Sequence, residues 1–271
     1  MLIRIAVLAL DKSPFLRRLL WRWWYGRLAS KFTQRSWTFM NYGYEQEAGA
    51  ALLPLDPEDE PDRLCAQLYE QVVAGVGLRG REVVEVGSGR GGGASYLTRT
   101  HRPSRYTGID YSAAAVKLCR GAHGSVAGLT FVTGDAEHLP LPDASCDVVV
   151  NVESSHCYGD VTKFFGEVAR VLRPGGHFAY ADFRSPADME KVAAQLAATA
   201  GLHLTEHFDI TERVLAALTS DDARKRRLIE EIVPPRLQHL FGEFAGLSGG
   251  QVFRAFGKRE MVYHRFQCRK S

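Results

Sequence analysis

The stretch Glu85-Val86-Gly87-Ser88-Gly89-Arg90-Gly91-Gly92-Gly93 decides how this chain folds. A short valine-rich strand over 82–86 carries an acidic residue, Glu85, next to its end and runs straight into glycines. Glycine tolerates positive φ and lets a ligand come close to the backbone, so a strand, a glycine loop and a following helix form a ligand-binding turn. Outward from that turn, strands are expected at 106–110, 129–132, 147–152 and 177–182. A helix is expected at 64–76, and a second one where Val161, Phe164, Phe165, Val168, Val171 and Leu172 recur at helical spacing. Pro174-Gly175-Gly176 stops that helix. Strand and helix in alternation imply βαβ units, hence an α/β fold with a parallel sheet covered on both faces. Ligands of such sheets sit at the carboxyl ends of the strands, near the switch in strand order.

The 271 residues leave room for one α/β domain with a sizeable insertion. Hydrophobic residues make up 45% and charged residues 24%, which excludes a disordered or collagenous chain. No window offers the roughly 20 uninterrupted apolar residues of a bilayer-spanning helix. Cys65, Cys119, Cys146, Cys157 and Cys268 are scattered without CxxC spacing, so free thiols in a reducing, cytoplasmic setting are expected. Residues 1–40 hold eight basic side chains against one acidic one, within a chain whose net charge is +3. All four tryptophans, Trp21, Trp23, Trp24 and Trp37, fall there. Such a segment suits an anionic membrane surface or a lid over an apolar substrate. An acidic, proline-broken linker ends it, giving a segment 1–62 ahead of a domain 63–271. Within that domain 214–256 departs from the alternation and reads as a helical cap, and 261–269 as a closing strand.

Polar residues gather at the expected strand ends. Asp110, followed by Tyr111, can accept from vicinal ribose hydroxyls. Gly134-Asp135-Ala136-Glu137 follows the third strand, and Asn151-Val152-Glu153-Ser154-Ser155-His156-Cys157-Tyr158 the fourth. The fifth runs to Asp182. The glycine loop with Asp110 serves nicotinamide dinucleotides and S-adenosylmethionine alike, and the loop alone does not separate them. The His, Asp and Glu residues show no compact ligand spacing, so no metal is expected. Nothing points to nucleic acid, and the oligomeric state stays open, a homo-oligomer included.

Together the Glu85–Gly91 loop, Asp110, Gly134-Asp135-Ala136 and Val171-Leu172-Arg173-Pro174-Gly175-Gly176 resemble class I S-adenosylmethionine-dependent methyltransferases. Further likenesses lie in Gly91-Gly92-Gly93-Ala94-Ser95-Tyr96, Lys117-Leu118-Cys119, the run from Val152 to Tyr158, Trp21-Arg22-Trp23-Trp24-Tyr25 and Asn41-Tyr42-Gly43-Tyr44-Glu45. In these the chain is similar to the mycobacterial phthiotriol/phenolphthiotriol dimycocerosate methyltransferases, which O-methylate a hydroxyl on a long lipid. The resemblance implies a Rossmann-like, seven-stranded, mostly parallel sheet with the last strand antiparallel, a helical cap and an amino-terminal lid. It implies S-adenosylmethionine as cofactor. Gly87, Gly89 and Gly91 would line its methionine part behind Glu85, Asp110 its ribose, and Asp135 with Ala136 its adenine, while Asn151 would close the cleft. His156 would be the general base, oriented by Asp182. Glu153 is a weaker catalytic candidate, suited to C-methylation of an isoprenoid or sterol-like alkene. Tyr42, Tyr44 and Tyr158 would meet a hydrophobic small-molecule acceptor. A nicotinamide oxidoreductase is disfavoured by the Gly134-Asp135-Ala136 and Pro174-Gly175-Gly176 motifs, and a non-catalytic binding protein by the intact glycines and His156.

Overall fold

The computed structural model describes residues 37–271. The basic segment with Trp21, Trp23, Trp24 and Tyr25 lies outside the described residues. Seven strands form one sheet: β1 (Glu82–Val86), β2 (Arg105–Asp110), β3 (Leu129–Thr133), β4 (Cys146–Val152), β5 (Leu172–Arg184), β6 (Leu202–Asp209) and β7 (Val262–Lys270). Their order is β3-β2-β1-β4-β5-β7-β6. The first five pair in parallel, and β7 runs antiparallel to both β5 and β6.

The side-chain period of two sorts the valines between two cores. Val83, Val148 and Val150 pack on the side of α1 (Arg63–Val73), α2 (Gly92–His101) and α3 (Ala113–His123). Val84 and Val149 pack on the side of α4 (Val161–Val171) and α5 (Pro186–Ala197). Phe164, Phe165 and Val168 are fully buried there, each contributing roughly 1.5–3 kcal/mol. Four helices stand between β6 and β7: α6 (Thr211–Ser220), α7 (Asp222–Ile232), α8 (Pro235–Phe244) and α9 (Gln251–Gly257). No helix among the described residues is long and apolar enough to cross a membrane.

Two elements differ from the sequence reading. β6 is a strand the sequence did not announce, because beyond Leu202 its side chains are exposed and the burial alternation is missing. β5 starts at Leu172, ahead of the glycines, with a pairing irregularity opposite Cys146 and Val148. Gly175 takes φ +78° there, so the chain turns within the strand instead of ending it. The strand order reverses between β1 and β4, and their carboxyl ends, at Val86 and Val152, open the cleft.

Candidate active site

A cavity lies above those carboxyl ends, walled by the loop after β1, the ends of β2 to β5, and the strap of residues 38–42. Gly87, Gly89 and Gly91 adopt φ of +78°, +53° and +82°. Beside Gly89 a Cβ would meet nothing within 4 Å, so the loop backbone faces open space. Asp110 ends β2 and stands across from it. Its Oδ2 accepts the Gly89 N–H at 2.9 Å and its Oδ1 the Ser112 N–H at 2.8 Å. Burial pushes this carboxyl up to about 6, with the two N–H groups working against the rise.

Tyr111, Asp135, Ala136 and Glu137 continue the wall. The Glu137 carboxylate accepts the N–H groups of Gly159 and Asp160, at 2.9 and 3.1 Å, and so fixes the turn leading into α4. Glu85, Gly91 and Asn151 do not line the cavity; they lie beneath it. Glu85 is fully buried, accepts from the Tyr69 and Tyr106 hydroxyls at 2.7 and 3.0 Å, and is pushed by burial to about 7. Asn151 donates from Nδ2 to the Val86 carbonyl at 2.7 Å and to the Tyr158 hydroxyl at 2.9 Å. It thereby ties β4 to the start of the glycine loop.

The reacting end lies at β4 and β5. After β4 the chain makes a 3-10 turn, Ser155–Cys157, which carries His156 into the cavity wall. Asp182, fully buried on β5, receives His156 Nδ1 at 2.9 Å on Oδ1 and the His156 backbone N–H at 3.0 Å on Oδ2. An ionised carboxylate only accepts, so Nδ1 carries a proton, and in the neutral form of the imidazole Nε2 is the basic atom. Burial disfavours the His156 cation, yet Cys157 and the Asp182 carboxylate outweigh it and raise the imidazole to about 10. Burial would raise Asp182 as well, but Arg184, His156 and Ser155 hold it far below the usual carboxylate range. The Phe183 ring lies against the imidazole with centroids 4.4 Å apart.

Glu153 sits at positive φ, +45°, on the cavity wall. Its Oε1 accepts the Tyr42 N–H at 2.7 Å, and burial pushes it to about 8. Tyr42 lines the cavity and donates to the Phe244 carbonyl of α8 at 3.4 Å. Tyr44 does not line it; its backbone N–H bonds to the Leu64 carbonyl at 2.9 Å and its side chain packs on the core. The strap is anchored by Gly92 N–H to the Thr38 carbonyl at 3.2 Å, by Arg90 to the Trp37 carbonyl, and by Phe39 against Tyr69. Tyr158 lines the cavity, its hydroxyl 2.8 Å from Ser154 Oγ.

The sequence reading missed Ser155, Phe183 and Arg184. Ser155 and Arg184 flank the His156–Asp182 pair in the sequence, and polar side chains at the ends of apolar strands were the available signal.

A Rossmann-like sheet with a glycine loop, an acidic β2 end and a capped apolar cavity defines a class I methyltransferase. A family model described as methyltransferase domain matches residues 84–180. Over 261 residues, 96% of each chain, this one is 40% identical to the phthiotriol/phenolphthiotriol dimycocerosates methyltransferase of Mycobacterium tuberculosis. It is 42% identical to a fatty-acid O-methyltransferase of Mycolicibacterium smegmatis over 74% of this chain and 72% of that protein. In fold it matches a geranyl diphosphate C-methyltransferase of Streptomyces coelicolor, solved with S-adenosyl-L-homocysteine, at a TM-score of 0.62. That match has 17% identity and covers 86% of this chain and 90% of the other. The chain belongs to the S-adenosylmethionine-dependent methyltransferase family that includes the phthiotriol/phenolphthiotriol dimycocerosates methyltransferases. S-adenosylmethionine is its cofactor. The open space beside Gly89 and the carboxylate of Asp110 fit it, offering room for a backbone-hugging ligand and an acceptor for hydroxyls.

Proposed function

We propose that this methyltransferase O-methylates a hydroxyl of a lipid, polyketide or glycosylated natural product, with His156 as general base. The observation that carries the reading is the 2.9 Å contact from His156 Nδ1 to buried Asp182, on an imidazole that lines the cavity. Bound S-adenosylmethionine supplies a methyl group activated on a sulfonium. The protein has to hold the acceptor oxygen in line and remove its proton. Phe39, Met40, Tyr42, Phe183 and Phe244 give the cavity an apolar wall for a hydrophobic acceptor. Gly87 and Gly89 hold the methionine part, Asp110 the ribose, and Asp135 with Ala136 the adenine.

A second reading, C-methylation of an isoprenoid or sterol-like alkene, draws on Glu153. It is a buried carboxyl on the same wall, pushed to about 8 and able to take a proton once ionised. A third, non-catalytic cofactor binding, is opposed by the ordered His156–Asp182 pair. Incubating the enzyme with native extract and a trideuteromethyl donor tests all three. Fragment spectra that place the label on a hydroxyl oxygen support the proposal, label on carbon selects Glu153, and no labelled product leaves the binding role. The fatty-acid relative adds one more outcome. A carboxylic acid arrives ionised and needs no base, so label on a carboxyl oxygen would overturn the role given to His156.

Asp110→Ala is expected to weaken S-adenosylmethionine binding by about 1.5–3 kcal/mol, the scale of hydrogen bonds to a charged group. Because the wild-type carboxyl titrates near 6, it is an ionised acceptor above that pH and protonated below it. Affinity should therefore fall as the pH drops below about 6 in the wild type and stay flat in the variant. Titration calorimetry at several pH values checks both, and wild-type affinity in Asp110→Ala would remove the ribose assignment.

We also propose that the basic amino-terminal segment brings the enzyme to anionic membrane surfaces, where hydrophobic acceptors reside. Co-sedimentation with anionic vesicles should be strong at low salt and fade as salt screens the charges. Equal binding to neutral vesicles would count against it.

A further inference from the structure

Asp182 carries more than the histidine. Its Oδ2 accepts the Ser155 hydroxyl at 2.8 Å, its Oδ1 accepts the Phe183 N–H at 2.8 Å, and Arg184 Nη1 lies 3.1 Å from Oδ1. Arg184 is itself nearly buried, 12% exposed in its side chain. Its Nη1 also donates to the Phe183 carbonyl at 2.7 Å and its Nη2 to Ser155 Oγ at 2.8 Å. The Tyr180 hydroxyl lies 2.7 Å from the same Ser155 oxygen. The proton count closes. Ser155 gives its one proton to Asp182, and its oxygen accepts from Arg184 and Tyr180. The guanidinium is thus locked against the carboxylate from two sides and has one seat.

We infer that Arg184 is a positioning residue for the His156–Asp182 pair, its fixed positive charge offsetting the buried carboxylate so that the imidazole can release its proton and act as a base. This rests on the reading of His156 as the general base. The titratable groups around the imidazole are acidic, and the ionised Asp182 among them makes an offset necessary. Asp182 faces it from β5, Glu153 from just past the end of β4 and Cys157 from the same 3-10 turn, while the neutral Tyr42 phenol of the strap lines the same cavity. The Asp182 carboxylate favours the imidazolium, which is useless as a base, and Glu153 adds to this only once it ionises. Lys225 of α7 lies behind the Tyr42 ring, 5.9 Å from its centroid. Among the described residues, Arg184 is the cation in ion-pair contact with Asp182 besides His156 itself.

The test is a titration that needs no acceptor. Protein labelled selectively on histidine and saturated with S-adenosylhomocysteine is followed by NMR from neutral to alkaline pH, the His156 resonance being assigned by its loss in His156→Gln. In Arg184→Gln the His156 midpoint should rise by about one unit, the scale of losing one adjacent charge, and in Arg184→Lys it should stay near wild type. Arg184→Met is read the same way should Arg184→Gln fail to fold. An unmoved midpoint in the folded neutral variant, or an equal shift in Arg184→Lys, overturns the inference and leaves Arg184 a purely structural brace. The two readings fail separately. A shifted midpoint with full turnover in His156→Gln removes the general base and keeps the charge offset. An inactive His156→Gln with an unmoved midpoint does the reverse.

Discussion

His156→Gln is expected to lower turnover on a hydroxyl acceptor by about 10²–10⁴-fold, the usual contribution of one positioned general base. Affinity for S-adenosylmethionine should stay close to wild type, because the groups assigned to the cofactor stand on the loop after β1 and at the ends of β2 and β3. Glutamine keeps a donor for Asp182 and removes the basic Nε2, so the loss reports proton removal and not a collapsed pair. The pH dependence follows from the same geometry. Interaction with Cys157 and Asp182 raises the imidazole from 6.5 to about 10 against the opposing effect of burial. A raised value means the cation is the resting form at neutral pH and the free base is the minority. Turnover should therefore climb with pH through the neutral range, while the small residual rate of His156→Gln should lack that rise. With the cofactor bound, its sulfonium would add a positive charge to the cavity and lower the His156 midpoint, so the climb in saturating cofactor should begin earlier than in the free enzyme. Steady-state rates across pH with a hydroxylated lipid acceptor measure both. Near-full turnover in His156→Gln would leave positioning of the acceptor as the whole mechanism.

The centre of the sheet was legible because β1, β4 and β5 are buried on both faces. Val83-Val84, Val148-Val149-Val150 and Phe178 to Ala181 are apolar without interruption, and glycines or acidic residues mark where each cofactor-side end lies. β6 was not legible. As an edge strand it buries little beyond Leu202, so its sequence Leu202-His203-Leu204-Thr205-Glu206-His207-Phe208-Asp209 carries no burial signal. In the site, His156 and Asp182 could be paired from their places at adjacent strand ends, and 2.9 Å separates their atoms. Other residues show why the sequence stops short of the site. Glu85 and Asn151 sit in the motif segments yet turn under the loop, because alternate side chains of a strand face opposite ways. Tyr42 and Tyr44 are two residues apart, yet Gly43 at φ +86° turns the chain between them, so one lines the cavity and the other packs on the core. Arg184 reads as an ordinary strand-end cation until the carboxylate and hydroxyl that receive it are placed.

Gly87→Ala is expected to cost about 2–4 kcal/mol of stability and to reduce methylation to background. Two effects add. The backbone holds φ +78°, where an L side chain is strained by about 1–3 kcal/mol. The new methyl carbon would also stand 1.8 Å from Ser154 Oγ, 2.5 Å from Ser154 Cβ and 3.0 Å from the Tyr158 hydroxyl, closer than atoms can pack. Ser154 can yield only by giving up its 2.8 Å contact with Tyr158, whose hydroxyl also receives Asn151. Asn151 in turn holds the Val86 carbonyl, the last backbone group before the loop. The displacement therefore travels back into the loop that the cofactor needs. Gly89→Ala separates fit from fold. Its φ of +53° is also positive and strains an L residue, but a Cβ there meets no protein atom within 4 Å. It should melt below wild type by the strain of the positive φ alone, about 1 kcal/mol and less than Gly87→Ala, yet it should bind S-adenosylmethionine poorly, because the methyl occupies the space left for the cofactor. Thermal melting and calorimetric titration of both variants give four numbers that have to fall in this pattern. A Gly89→Ala enzyme with wild-type affinity would place the cofactor away from that loop. A Gly87→Ala enzyme of wild-type stability would show that Ser154 and Tyr158 rearrange freely and are not part of the support.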